Sequence, residues 1–428
     1  MPNENKHIKA LIITYYFPPA GGSGVQRWLK FIKYLRDFNI EPIVYTAENA
    51  NYPITDNTLV KELPKNITIL RQPIFEANNF IKSNRKKSSG FLSQKPSFTG
   101  KIMQYIRANY FIPDARKFWI KPSVSYLSKY LEKNPIDIII TTGPPHSVHL
   151  IGLALKKKFK IPWIADFRDP WTNIDYFHKL PLTKKAKQTH FKLEKEVVQT
   201  ADQVVVVGKT MQREYLPLNG NTTIIENGFD NFKEDFKTEK DKKFSLLHIG
   251  LLNQDRNHKA LWEALKELKN DVKDFDKDLE IKLIGKICVE AIHEIKKNNL
   301  TDNLTLNDYI PHQEVIKYQK SAQVLLLLVN NTPNAKGIIT GKIFEYLQAK
   351  RPILALAPTN GDLAEIIQET QSGLTVDFND KDKIKKQILS YYLKYKNNTL
   401  QICPKNIEKY HRKERTKKLA SVITKITG

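Results

Sequence analysis

The feature that most constrains this chain is a recurrence. Short apolar, β-branched runs alternate with stretches of helical spacing, the pattern of parallel strands joined by crossover helices. A first series falls at residues 10–14, 42–45, 136–140, 163–166 and 203–207; a second falls at 244–250, 279–285, 304–306, 324–329 and 352–356. Residues 231–243 between them are polar and carry both signs of charge, as an interdomain linker does. The expected fold class is therefore α/β, with two doubly wound domains in tandem. Ligands of such sheets bind beyond the carboxyl ends of the strands, so candidate residues are weighed by whether they sit there. Residues 51–121 have weak periodicity, several Ser and Gly and many cations, and are expected to form an elaborated, partly mobile segment.

Composition narrows the function classes. At 41% hydrophobic and 27% charged, the 428-residue chain can bury large cores and is not a disordered sequence. Cys288 and Cys403 make neither a disulfide framework nor a four-ligand zinc site, and no secretory signal precedes the first apolar run, so a cytoplasmic protein is expected. No apolar run approaches the length of a membrane span, which leaves only surface association with a bilayer. Lys and Arg (69) outnumber Asp and Glu (45) to give a net charge of +24, and two stretches, 81–121 and 381–428, hold most of it. Ile102, Met103, Tyr105, Ile106, Tyr110, Phe111, Ile112, Phe118 and Trp119 intermix with the cations of the first stretch. That mixture reads as an interfacial segment for an anionic membrane, or as a solvated basic loop over a packed aromatic cluster. A nucleic-acid binder needs stacking platforms or a recognisable module, and neither is visible, so no nucleic-acid partner is expected.

Four segments at strand ends carry possible chemistry. After the first strand comes Ala20-Gly21-Gly22-Ser23-Gly24, and then a helix with Val25, Trp28, Leu29, Ile32 and Leu35 at helical spacing. Gly22 and Gly24 let backbone approach a ligand at a helix N-terminus, but the third glycine of a dinucleotide fingerprint is Arg27 here; a plain tight turn is the alternative. Gly143-Pro144-Pro145-His146 ends the third strand and places His146 either toward a cleft or in the core. Asp166-Phe167-Arg168-Asp169 follows the next strand; Asp166 is expected nearer the cleft, with Arg168 and Asp169 mainly structural, although an internal ion pair is equally open. In the second half, Arg256 follows the first strand, and Lys336, Thr340, Gly341 and Lys342 lead into a helix that carries Glu345. Cations, free amides and a helix dipole suit a diphosphate, while Glu345 suits ribose hydroxyls or a simple i, i+3 pair with Lys342. The Asp-any-Asp run at residues 274–278 precedes a strand and sits at the wrong sheet edge for a ligand, and no His/Cys/carboxylate cluster has metal spacing.

Taken in order, residues 16–24, 143–146, 166–171, 226–230 (Glu-Asn-Gly-Phe-Asp) and 342–355 resemble a glycosyltransferase of family 4, over essentially the whole chain. The resemblance implies the GT-B fold, two Rossmann-like domains facing across a cleft. Domain limits are expected at 1–235, binding the acceptor, and 236–404, binding the nucleotide sugar, with the closing helix 405–428 completing the first. It implies a donor that is usually UDP-linked, a lipid-linked or polysaccharide acceptor of the cell envelope, transfer of a hexosyl or N-acetylhexosaminyl group with retention, and no metal or other cofactor. His146 then contacts the donor sugar, with Asp166 as a second catalytic candidate. Arg256 stands for the phosphate-binding lysine and Glu345 for the ribose-binding glutamate. Two positions depart from the pattern. The paired arginine falls on Leu251, with Lys342 or Lys336 to substitute, and the first glutamate falls on Gly337, where backbone amides to Gly341 are the substitute. A sugar-nucleotide epimerase of the same fold is the closest rival.

Overall fold

The computed structural model describes residues 7–76, 98–230, 238–308, 310 and 312–428. The chain divides into two compact units, residues 1–227 with 412–428 and residues 228–411. The passage from one to the other falls within Glu-Asn-Gly-Phe-Asp, ahead of the polar segment expected to be the linker, of which residues 231–237 lie outside the described residues.

The first unit is built on a seven-stranded sheet in the order β3-β2-β1-β4-β5-β6-β7. Its strands are β1 (Ile8–Ile13), β2 (Ile40–Ala47), β3 (Thr68–Gln72), β4 (Ile138–Gly143), β5 (Trp163–Phe167), β6 (Gln203–Val206) and β7 (Thr222–Ile224), paired in parallel throughout. Alternate residues of β1 serve opposite faces, as the pleat requires. Leu11 and Ile13 join one apolar cluster, Ala10 and Ile12 another. Helix α1 (Ser23–Leu35) buries Trp28, Ile32 and Leu35 in the second cluster, where the final helix, Arg412–Thr427, adds Leu419, Ala420 and Ile423. Burying each such aliphatic side chain is worth about 1.5–3 kcal/mol, enough to hold a helix whose outer face is a row of lysines. Helices α2 (Phe98–Tyr110), α3 (Ile120–Leu131), α4 (Ser147–Phe159) and α5 (Lys184–Thr200) complete the elements used below.

The second unit carries six parallel strands in the order β10-β9-β8-β11-β12-β13. They are β8 (Phe244–Ile249), β9 (Leu279–Ile284), β10 (Leu304–Asn307), β11 (Val324–Leu328), β12 (Ile353–Leu356) and β13 (Gly373–Val376). Strands β11 and β12 are buried along their whole length, because helices cover both faces of the sheet.

In each sheet the strand order reverses direction beside the first strand of the domain, between β1 and β4 and between β8 and β11. A doubly wound sheet opens a crevice beyond the carboxyl ends at such a point. Strands β3, β7 and β13, which the apolar runs did not reveal, all stand at sheet edges and are partly exposed. The segment expected to be elaborated and partly mobile holds β3 and α2, and of it residues 77–97 lie outside the described residues. No helix among the described residues is long and apolar enough to cross a membrane.

Candidate functional site

In the first unit the loop after β1 turns sharply at Gly22, whose φ of 86° is available to glycine at little cost and which caps α1. Arg168, from the loop after β5, donates to the carbonyls of Gly24 and Pro144 and lies 5.3 Å over the Tyr16 ring. A side chain at Gly24 would meet that guanidinium at 3.1 Å. Arg168 therefore clamps the two loops at the strand reversal, the structural role expected of it.

Asp166 has a different place from the one expected. It is 1% exposed; Arg27 donates to it from Nη2 at 2.7 Å and from Nε at 3.1 Å, Trp28 Nε1 at 2.7 Å and the Thr142 hydroxyl at 2.9 Å. Burial alone raises a carboxyl pKa. Here the Arg27 charge and these hydrogen bonds outweigh it, so Asp166 is held below its ordinary value. With both oxygens occupied it locks α1 to β5 and β4, so the structure gives this catalytic candidate a positioning role. Arg27, the residue that broke the dinucleotide fingerprint, is the other half of that lock and also donates to Asn227.

His146 follows Gly143-Pro144-Pro145 and precedes the first turn of α4. Its ring is 7% exposed, stacks on Trp171 at 4.7 Å between centroids, and leaves Nδ1 without a hydrogen-bond partner. Burial, and then the neighbouring His149, push its pKa well below the ordinary value, so it is neutral at pH 7. His149 is settled in the core. The Thr141 hydroxyl accepts from Trp163 Nε1 and shares a hydrogen bond of 2.9 Å with His149 Nδ1, and burial takes that imidazole down to about 3. Gly143 makes room for both rings, because a Cβ there would lie 2.5 Å from His149 Nε2.

In the second unit β8 ends at Gly250, with φ 108°. Beyond it the Asn253 side chain accepts the backbone N–H of Arg256 at 3.1 Å and closes the short turn Gln254–Arg256. That turn sends Arg256 back to the sheet. Its Nη1 donates to the Leu251 carbonyl at 2.9 Å and its Nε to the side chain of Asn330, just past β11, at 2.7 Å. A backbone bond from Asn331 to the Asp255 carbonyl, 2.8 Å, ties the same two loops together. Arg256 thus stands at the reversal between β8 and β11. Asn253 and Asn330, which hold it, gave no signal in the sequence beyond being polar loop residues.

Lys342 opens the Lys342–Ala349 helix, and its Nζ and Cε lie 2.9 Å from where a Cβ on Gly250 would be. Among the described residues its ammonium makes no hydrogen bond or ion pair. Burial, and then the charge of Arg256, bring its pKa down to about 7. Glu345, one turn on, accepts from Gln319 at 3.1 Å and forms no ion pair with Lys342. Gly341 is the N-cap of this helix, exposed and surrounded by open space, and the Thr340 hydroxyl before it accepts from the Lys342 N–H at 3.4 Å. Lys336 lies on the turn Ala335–Gly337 and is exposed, so of the two lysines expected to stand in for the missing arginine, Lys342 is the one set beside Arg256.

Glu226 pairs with Arg415 at 2.6 Å within the first unit, and Phe229 N–H donates to the Tyr410 carbonyl at 3.1 Å within the second. Of the interfacial aromatics, Trp119 is core, stacked on Tyr45 at 5.2 Å, whereas Ile102, Met103, Tyr105, Ile106, Tyr110 and Phe118 are exposed.

No curated protein matches the sequence. Similar solved structures include the lipopolysaccharide outer core galactosyltransferase WaaB in its apo form, with a TM-score of 0.60, 13% identity and 98% and 99% of the two chains covered. A variant of S. aureus TarM in complex with Fondaparinux, alpha-GlcNAc-glycerol and UDP gives 0.58 and 12%, covering 97% of this chain and 99% of that one. UDP-GlcNAc 2-epimerase from Methanocaldococcus jannaschii gives 0.53 and 13%, covering 98% and 100%. At these identities the likeness shows the GT-B fold, two Rossmann-like domains in one chain. Residues 92–231 match the Glycosyltransferase Family 4 model and residues 230–412 the Glycosyl transferases group 1 model, one behind the other over most of the chain, and the protein belongs to the glycosyltransferases of family 4.

Proposed function

We propose that this glycosyltransferase moves a hexosyl or N-acetylhexosaminyl group, with retention, from a UDP-linked donor to a lipid-linked or polysaccharide acceptor of the cell envelope, working in the cytoplasm at the membrane face. The observation that carries the donor reading is the placing of Arg256 beside a half-buried Lys342 whose ammonium makes no hydrogen bond or ion pair among the described residues. Two cations held together repel each other, and a diphosphate placed between them relieves that repulsion. UDP as the nucleotide is supported by TarM, a protein of the same fold bound to it.

The leaving diphosphate is stabilised by Arg256, Lys342 and the amides around Thr340 and Gly341, with Glu345 on the ribose and no metal among the groups called on. Such fixed donors act on charge that grows as the glycosidic bond breaks. In the first domain, His146, neutral at pH 7, is assigned to the donor sugar. Gly22 and Gly24 bring the backbone of the loop after β1 close to the substrate.

A panel of nucleotide sugars screened by thermal shift tests the donor, since a ligand that binds only the folded state raises its melting temperature. Mass spectrometry of products formed with lipid-linked acceptors then tests the transfer. Isomerised UDP-sugar formed without acceptor assigns the protein to the epimerases instead, and the absence of any nucleotide-dependent shift removes the donor site.

A further inference from the structure

Helix α2 lies on the first unit with its polarity reversed. Ile102, Ile106 and Tyr110 follow at i, i+4 and i+8, and Met103 stands three residues before Ile106, so four large apolar side chains share one face. A surface helix of a soluble domain turns such a face inward. Here it is in solvent: Ile102 is 45% exposed, Met103 50% and Tyr110 66%. The half-buried positions are Gly100, Gln104 and Ala108 on the other side and Asn109 in the last turn. Asn109 ties the helix down, donating to the Pro181 carbonyl at 2.8 Å and accepting from the Thr183 N–H, just before α5, at 2.7 Å.

The apolar surface continues past the helix. Phe111 meets Phe118 edge-on at 5.8 Å and Phe118 meets Phe75 at 5.9 Å, and the last two rings are exposed. Cations border it. Lys117 donates to the Tyr110 carbonyl at 2.6 Å and lies over the Phe118 ring, Lys101 and Arg107 are exposed on α2, and Lys184, Lys185 and Lys187 are exposed in the first turn of the adjoining α5. Two acids adjoin this surface and both are turned inward: Asp114 accepts from the Ser147 N–H at 2.8 Å and its hydroxyl at 3.0 Å, and buried Glu76 accepts from the Tyr15 hydroxyl at 2.7 Å.

We propose that α2, with the Phe75–Phe118 pair, is a docking surface for an anionic lipid bilayer, the helix lying in the plane of the interface. An apolar stripe flanked by Lys and Arg is complementary to acyl chains below a layer of negative headgroups. A second copy of the chain would instead set one ring of cations against another. The surface extends the acceptor reading and is tested apart from it.

The test uses the full chain, sedimented with vesicles of phosphatidylcholine alone and of phosphatidylcholine mixed with phosphatidylglycerol, at low and high salt. Binding is expected to the mixed vesicles, to weaken with salt, and to be far weaker on phosphatidylcholine alone. The triple variant Ile102→Ser, Ile106→Ser, Tyr110→Ser is expected to lose about tenfold or more in partitioning, with its UDP-induced thermal shift retained. Should the triple variant fold poorly, Lys101→Glu with Arg107→Glu, both at exposed positions, is expected to lose a similar factor. Unchanged binding by a folded variant overturns the proposal, as does equal binding to the two vesicle types. A dimer in sedimentation that the triple variant dissolves, without vesicle binding by the parent, assigns the face to a second copy and also overturns it. Vesicle binding that survives while no nucleotide produces a thermal shift leaves the surface standing and removes the donor reading.

Discussion

Arg256 and Lys342 converge on the carboxyl end of β8: the guanidinium donates to the Leu251 carbonyl, and the ammonium fills the space that a side chain on Gly250 would need. The two positive charges repel each other, and the charge of Arg256 lowers the Lys342 pKa. Two cations set together at a strand end suit an anion such as the diphosphate proposed above.

Arg256→Ala and Lys342→Ala are each expected to lower turnover by roughly a hundredfold or more, in line with the about 2.7–4 kcal/mol lost when an oxyanion donor is removed elsewhere. Steady-state kinetics on the donor found by thermal shift provide the check. Turnover at the parent rate in both variants counts against the diphosphate site.

The Lys342 amine, brought down to about 7 by burial and Arg256, is largely neutral above that pH in the empty protein. A bound diphosphate favours the ammonium, so UDP binding is expected to take up a proton above neutral pH and to weaken as pH rises. Calorimetry in buffers of different ionisation heat measures the uptake, and Lys342→Met is expected to abolish it. The stability of the empty protein has the opposite sign. Between about 7 and the ordinary lysine value of 10.5 the unfolded chain binds the extra proton, so this group makes stability rise with pH across that window. Denaturant titrations of Lys342→Met are expected to show a flatter rise.

Gly250→Ala tests the close approach directly. Its φ of 108° disfavours any side chain, at a cost of about 1–3 kcal/mol, and the new Cβ would press on Lys342 at 2.9 Å. UDP affinity is expected to fall in the folded variant, read by calorimetry below its melting temperature; unaltered affinity shows that Lys342 does not depend on this contact.

Asp166→Ala leaves Arg27 buried without its counter-ion, a change that costs about 3–5 kcal/mol when such pairs are broken. A large drop in melting temperature is expected, shared by Arg27→Met. Because the Asp166 pKa is depressed, the stability it supplies is present above the unfolded carboxylate pKa and is lost as pH falls through the lower folded value. A variant that melts like the parent and yet turns over slowly would return Asp166 to catalysis.

The sequence by itself determined the two α/β domains, because strands buried on both faces are mostly apolar, and runs such as residues 138–140 and 324–328 recur between stretches of helical spacing. It also located the candidate phosphate and sugar residues, since glycines, cations and a histidine recur at strand ends. What only the tertiary structure decided are the matters that depend on a partner far along the chain. Edge strands β3, β7 and β13 carry no continuous apolar run and exist through pairing with a neighbour. Asp166 looked like a cleft acid until Arg27, 139 residues away, was found on it. Lys342, rather than Lys336, became the companion of Arg256 because a left-handed glycine at the end of β8 leaves room for one ammonium and no side chain. Local pattern is legible residue by residue; which charges meet is set by the folding of distant segments onto one sheet edge.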